Sequence, residues 1–221
     1  MAGSSIGQNG GGRYPEWATD EHPEYHARLE RASMALLEEL RAAPSSERRR
    51  FALDPREAHK RLYLAVTPDG YPEYAGTYRG TKDTPLELRH VELVSHTGRT
   101  PEQVQIPSLV LQDMENSYGR RVNEYFDNVA RLTIPQVRQN AATIFYLFGR
   151  IHPFLDGNGH IQRLVFAACM FERCDLVLNP KWTVHPRPYG YEFADAVEGH
   201  ALGEALRRLQ PLLNDYVEVA K

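Results

Sequence analysis

Between His152 and Arg163 the chain reads His-Pro-Phe-Leu-Asp-Gly-Asn-Gly-His-Ile-Gln-Arg, which gathers an imidazole, a carboxylate, a glycine-flanked turn and a guanidinium into one short run. Gly157 and Gly159 flank Asn158, and all three tolerate left-handed dihedrals, so their backbone N–H groups can converge on an oxyanion. Ile161, Leu164, Val165, Ala168 and Cys169 then recur at helical spacing. A helix starting near His160 would add its unpaired first amides and the positive end of its dipole to the same spot. Arg163, in the first turn, offers a permanent charge with a fork suited to phosphate oxygens. The chemistry that this spacing suggests is phosphate handling.

Each group also has a plainer use, and the residues leave both open. Asp156, before a glycine, can cap a turn or sit in solvent; beside an anion it can hold Mg2+, which takes one or two carboxylates together with substrate phosphates and water. His152, at the expected end of the preceding helix, can be a favourable charge at the dipole or a half-buried core residue. Next to a metal carboxylate and an anion hole, its imidazole, with an ordinary pKa of about 6.5, can serve as a general base. His152, Asp156 and His160 also stand four residues apart, as zinc ligands on one helix would. Gly157-Asn158-Gly159 interrupts that helix between the second and the third.

The run resembles the signature of the Fic family, whose pattern is His, any residue, Phe, any residue, Asp or Glu, Gly-Asn-Gly-Arg, two of any, Arg. His152, Phe154, Asp156, Gly157, Asn158, Gly159 and Arg163 fall in register, and His160 stands where the first arginine of the pattern would be. The resemblance covers roughly residues 54 to 200. It implies a mostly α, single-domain Fic-type helical bundle with a short β-hairpin flap next to the active-site loop. It also implies a protein adenylyltransferase that moves a nucleoside monophosphate, AMP from ATP with Mg2+, onto a Ser, Thr or Tyr hydroxyl of a target protein.

By that carry-over His152 takes the proton from the target hydroxyl, and Asp156 holds Mg2+ on the departing diphosphate. The backbone of Gly157, Asn158 and Gly159 cradles phosphate oxygens, Arg163 grips the outer phosphates, and Phe154 anchors the loop in the core. The grip at His160 is expected to be weaker than arginine's, because histidine is charged only part of the time and offers a single donor there. The alternatives are another phosphate-containing donor, hydrolysis of the modification, or a non-catalytic nucleotide-binding module. Family members are often silenced by Ser or Thr, three residues, Glu and then Gly or Asn. Glu115-Asn116 follows Leu111 at that spacing and Glu198-Gly199 follows Ala194, so neither carries the hydroxyl. No built-in inhibitory glutamate is expected, which leaves regulation to a separate small inhibitory protein, to His160 or to target access.

A chain of 221 residues, 42% of them hydrophobic, is long enough to bury about 70% of its unfolded surface. The net charge of −3 argues against a nucleic-acid partner held by bulk electrostatics, and Arg48, Arg49 and Arg50 read as a solvated helix end. The uncharged stretch Gln139 to Gly149 is too short to cross a bilayer. Residues 1–13 read as a flexible Gly-rich tail without an apolar signal core, and 14–221 as the domain. The expected location is cytoplasmic, or outside by a signal-less route. Cys169 and Cys174 read as buried hydrophobes in a reducing compartment.

The elements that must position these groups follow from periodicity. Amphipathic helices are expected over Glu24–Ala43, closed by Pro44-Ser45-Ser46, and over Pro55–Val66, opened by Asp54. Gly76-Thr77-Tyr78-Arg79 is similar to an element that precedes the flap in Fic proteins. Leu88–Ser95, with a Thr97-Gly98-Arg99 turn leading toward Val104 and Ile106, reads as a hairpin. In Fic proteins such a flap aligns the target's backbone, which makes Val91, Glu92 and Leu93 the docking residues. Further helices are expected over Pro107–Phe126, with Leu111, Met114 and Tyr118 inward, over Pro135–Ile151 and over Ile161–Arg173. A loop follows at Pro180–Pro188, then one or two helices over Tyr191–Val219, interrupted near Gly199 and Pro211.

Overall fold

Thr133 and Gln136 close a capping box and Pro135 sits in the first turn, so a long helix, α6 (Ile134–Ile151), starts here. Its apolar stripe of Val137, Ala141, Ile144, Phe145 and Phe148 is buried, as the periodicity requires. Helix α7 (Asn158–Met170) packs along it. It is apolar on almost every side from Leu164 to Met170, and all seven of those residues are buried. The computed structural model describes residues 14–17, 19, 22–93, 102–197 and 200–220, and the expected tail at 1–13 lies outside them.

The remaining elements wrap this pair. Helices α1 (Tyr25–Ala42) and α2 (Ser45–Leu53) lie against α7, and α3 (Arg56–Tyr63) lies against α1. Asp54 accepts the backbone N–H of Arg56 at 3.3 Å, in keeping with a start at that point. Helices α4 (Pro107–Asp113) and α5 (Arg120–Asn128) are joined by a π-helical turn, Met114–Gly119. Helices α8 (Glu192–Val197) and α9 (Leu202–Asn214) pack on each other, and α9 also packs on α6. Strands β1 (Glu92–Leu93) and β2 (Glu102–Gln103) form the flap's antiparallel base, Glu92 opposite Gln103 and Leu93 opposite Glu102. The fold is mostly helical with this small pair of strands, as expected. No helix among the described residues is long and apolar enough to cross a membrane.

Several expectations change. Pro44-Ser45-Ser46 does not only end α1. Pro44 is extended and opens α2, because its fixed φ costs nothing in front of a first turn. Arg48 is not solvated: it pairs with Glu172 at 2.5 Å, with side chains 13% and 4% exposed. Leu111 is 43% exposed, whereas Val110, Met114, Tyr118 and Val122 form the buried stripe. The π turn spaces that stripe by four residues throughout and leaves Leu111 one step outside it. Pro211 sits inside α9 without ending it. Val217–Val219 is not helical but forms strand β4, antiparallel to β3 (Leu176–Leu178). Cys169 is buried but Cys174 is exposed, because α7 ends at Met170 and Cys174 falls in the turn toward β3.

Candidate active site

His152 is the residue at which α6 stops. Its backbone is left-handed, with φ +50°, an uncommon state for a side chain larger than glycine. What holds it there is Arg79. This fully buried guanidinium donates from Nε (3.0 Å) and Nη2 (2.7 Å) to the carbonyl of His152, and from Nη2 to those of Ile151 and Gln105 (3.1 Å each). Nη1 donates to the carbonyl of Arg89 at 3.1 Å, and the Arg79 backbone N–H to Pro153 at 2.8 Å. A cation thus closes the negative end of the α6 dipole. Burial, with Arg79 adding to it, lowers the pKa of the His152 imidazole to about 3. The ring is therefore neutral, with a lone pair to offer, throughout the physiological range.

From Pro153 to Gly157 the loop is pinned from both sides. Phe154 is buried and stacks on His59 with centroids 3.8 Å apart, as an anchor should. His59 accepts the N–H of Gly76 on Nδ1 at 2.9 Å, so Nε2 carries the proton and donates to the carbonyl of Asp156 at 2.9 Å. Asn158 uses its side chain as a staple, accepting from Phe154 N and donating to Phe154 O, both at 2.9 Å. The role of His59 is not visible locally, since it lies 97 residues from Asp156.

Asp156 is partly exposed, with Oδ1 accepting from Gly157 N at 2.6 Å and Oδ2 from the Thr19 hydroxyl at 2.5 Å. Gly157 takes φ +76° and lies against the Tyr63 ring. Its amide is therefore engaged and its face covered, which narrows the expected three-residue cradle. The amides of Asn158 and Gly159, first in α7, have no hydrogen-bond acceptor among the described residues. A Cβ on residue 157 would lie 2.3 and 2.5 Å from two Tyr63 ring carbons and 2.7 Å from its hydroxyl oxygen. Gly157→Ala is therefore expected to cost about 2–4 kcal/mol from left-handed strain and overpacking together, read as a lower midpoint in urea unfolding.

Arg163 is only 3% exposed. Nε donates to Val184 O at 2.8 Å and Nη1 to the Tyr189 hydroxyl at 3.3 Å, which aims the guanidinium beside Gly159. His160 Nδ1 meets the Tyr63 hydroxyl at 2.7 Å and its Nε2 meets His185 Nδ1 at 3.0 Å. Burial, then Arg163 and His185, depress its pKa, so it carries no standing charge in arginine's place.

The structure thus brings His152, Phe154, Asp156, Gly157, Asn158, Gly159, His160 and Arg163 into one loop and helix start. It buries the Val91 side chain, which leaves that residue only its main chain for docking. Val91 is 3% exposed and anchors the base of the hairpin from the core, because the strand begins only at Glu92. The turn expected at Thr97-Gly98-Arg99 lies outside the described residues, as do Glu198 and Gly199. Glu115 is exposed on the π turn. Two surface clefts, about 530 Å3 beside Asp54, Lys60 and Glu73 and about 230 Å3 beside Gln105, Asp113 and Arg150, lie off the signature.

Among the described residues no three His, Cys, Asp or Glu side chains converge for a metal, which removes the zinc arrangement. The partly exposed Asp156 carboxylate does fit Mg2+, which takes one or two carboxylates and keeps most of its shell as water and phosphate.

The buried histidines make stability depend on pH with a definite sign. Burial lowers both His59 and His152 from 6.5 to about 3, so below pH 6.5 the unfolded chain binds more protons than the folded one. Their contribution is complete above pH 6.5 and is lost as pH falls toward 3. Each should remove about 2 kcal/mol between pH 6.5 and 5. Urea midpoints measured at pH 7 and 5 check this, and a midpoint that rose on acidification would contradict it.

Two helices meet at a glycine-flanked turn, with an imidazole at the end of one and a guanidinium in the second turn of the other, and this pair is the centre of a helical domain. The chain belongs to the Fic/DOC family, whose model matches residues 54–170. Solved structures agree on the fold. The N-terminal Fic domain of a VirB-translocated Bep effector protein from Bartonella quintana, with bound ADP, is 16% identical with a TM-score of 0.62, covering 90% of this chain and 86% of that one. The corresponding domain from Bartonella sp. AR 15-3 is 18% identical with a TM-score of 0.62, covering 93% and 90%. BepC from Bartonella tribocorum, with bound AMPPNP, is 14% identical with a TM-score of 0.57, covering 90% and 88%. Comparison with curated proteins gives no match.

Proposed function

We propose that this chain transfers a nucleoside monophosphate, AMP from ATP, to a Ser, Thr or Tyr hydroxyl of another protein. The observation that carries the reading is a neutral, backbone-locked imidazole at His152, joined by a short loop to α7, whose first two amides have no acceptor among the described residues and whose Arg163 guanidinium lies beside Gly159. Relatives of this fold hold ADP and AMPPNP, which supports a nucleotide as the donor.

In this reaction His152 accepts the proton of the target hydroxyl. The freed oxygen bonds to the α-phosphorus, the bond from that phosphorus to the bridging oxygen breaks, and diphosphate leaves. The amides of Asn158 and Gly159 and the charge of Arg163 hold phosphate oxygens, so the protein contributes position and electrostatics more than covalent chemistry. Asp156 would hold Mg2+, which when bound neutralises charge on the phosphates. The hairpin at Glu92–Leu93 would align the target segment by strand addition, in the cytoplasm or in a cell that receives the protein.

The test is intact-mass spectrometry of the protein and candidate targets after incubation with Mg2+ and ATP, GTP, CTP, UTP or CDP-choline in turn. An adduct of one nucleoside monophosphate that disappears in a His152 variant supports the reading. Release of free monophosphate without any adduct would replace it with hydrolysis, and nucleotide binding without turnover would replace it with a binding module.

A further inference from the structure

Three imidazoles from three separate elements stand in a row behind the signature loop. His160, in α7, faces His185, in the 180–188 loop, with Nε2 and Nδ1 3.0 Å apart. His185 in turn faces His26, on α1, with Nε2 and Nδ1 3.2 Å apart. The ring centroids are 5.2 and 5.3 Å apart at 31° and 24°. At the inner end His160 Nδ1 meets the Tyr63 hydroxyl, and at the outer end His26 is exposed.

Two assignments of protons satisfy every link, running in opposite directions along the row, and one of them leaves an acceptor at the exposed end. In that one His26 Nδ1–H donates to His185 Nε2, His185 Nδ1–H donates to His160 Nε2, and His160 Nδ1–H donates to the Tyr63 oxygen. The lone pair left over is His26 Nε2, at the exposed end. A proton added there can pass inward link by link. It moves from His26 Nδ1 to His185 Nε2 and from His185 Nδ1 to His160 Nε2, so that one proton has entered and the positive charge rests on His160.

At rest the surroundings oppose that charge. Burial acts against it on His160, followed by Arg163, His185, His59 and His26, and burial acts against it on His185, followed by His26 and Arg163, with Glu30 the acid that favours it. The Tyr63 and Tyr25 rings complete the lining at 6.0 Å from His160 and 6.2 Å from His185. An anion seated beside Arg163 would reverse this balance.

We propose that His26 and His185 complete, with His160, a proton-fed anion site that takes up one proton as the polyphosphate of a nucleotide binds. The charge that arginine would supply permanently at position 160 is then supplied on demand and shared along the row. The inference rests on the reading of this site as a nucleotide site, but its test needs no turnover.

Inorganic triphosphate and ATP are titrated calorimetrically into the full chain between pH 6.5 and 8.5, without Mg2+, in buffers of different ionisation enthalpy. The expected result is uptake of close to one proton per anion and an affinity that falls about tenfold per pH unit on the alkaline side, as linkage requires. His160→Arg should bind without uptake and with a flat profile. His185→Phe keeps a ring but removes the inner acceptor, and should lose most of the uptake. His26→Ala, at an exposed position, should lose part of it. Flat affinity with no uptake in the native chain overturns the proposal, and full uptake in His185→Phe overturns the row by showing that His160 acts alone. Uptake without any transfer activity leaves this inference standing and removes the transferase reading; transfer with flat binding does the reverse.

Discussion

Replacing His152 with asparagine is expected to lower transfer onto a target hydroxyl by roughly 10²–10⁴-fold, the usual contribution of a positioned general base, while leaving the fold intact. Asparagine is the informative substitution because it tolerates left-handed backbone, and His152 sits at φ +50°. His152→Ala removes the same base but adds backbone strain of about 1–2 kcal/mol, so it loses stability as well as activity. A comparison of the two separates chemistry from backbone geometry. Rates come from intact-mass time courses and stability from urea unfolding. An asparagine variant with near-native rates would show that another group takes the proton.

The pH profile sharpens the same prediction. The imidazole is held at a pKa of about 3, first by burial and then by Arg79, so the free enzyme should show no acid limb from His152 between pH 5 and 8. A limb near pH 6.5 in kcat/KM that vanished in His152→Asn would mean that the ring is solvated and unperturbed in the working enzyme. Such a result would also remove the share of acid destabilisation assigned to this residue.

How much of this was legible in the chain depended on whether a residue acts on its neighbours in sequence or across the fold. The signature was readable because its parts lie within twelve positions of one another and each obeys a local rule. Left-handed backbone goes to glycine at 157, free amides go to the start of α7, and a guanidinium goes to its second turn. Helix α6 was readable because its apolar stripe follows the helical period, and α7 because it continues as an unbroken apolar run from Leu164 to Met170. By contrast, Asn158 looks like a turn residue, and only the fold shows its side chain clamping Phe154.

His59, Arg79, Thr19 and His185 reach the site from outside the signature, and no periodicity reports that. Arg79 did carry a faint signal in Gly-x-Tyr-Arg, but its role as the cap of α6 could not be inferred from a tetrapeptide. The strand at Val217–Val219 was missed because three residues suffice to pair with Leu176–Leu178, too few for alternation to be told from a helix end. Leu111 was misplaced because a π turn shifts the apolar stripe without leaving a mark in the sequence.

Arg79 supports the second large effect. Its guanidinium is fully buried, burial lowers its pKa only to about 10, and it therefore stays charged at neutral pH. It donates to four backbone carbonyls, at Arg89, Gln105, Ile151 and His152. Arg79→Met would leave those carbonyls without their donor in a dry environment and remove the cation from the end of the α6 dipole. The expected cost is about 3–5 kcal/mol, as for breaking other buried charged networks. Arg79→Lys keeps the charge, but one ammonium cannot span the fork, so an intermediate loss is expected. The telling comparison is activity at temperatures where each variant remains folded by circular dichroism. Because Arg79 holds the carbonyl that fixes the left-handed turn at His152, Arg79→Lys should lose transfer rate beyond any loss of folded protein. Full activity per folded molecule would reduce Arg79 to a stabilising residue and shift the positioning of His152 to the Phe154–His59 stack.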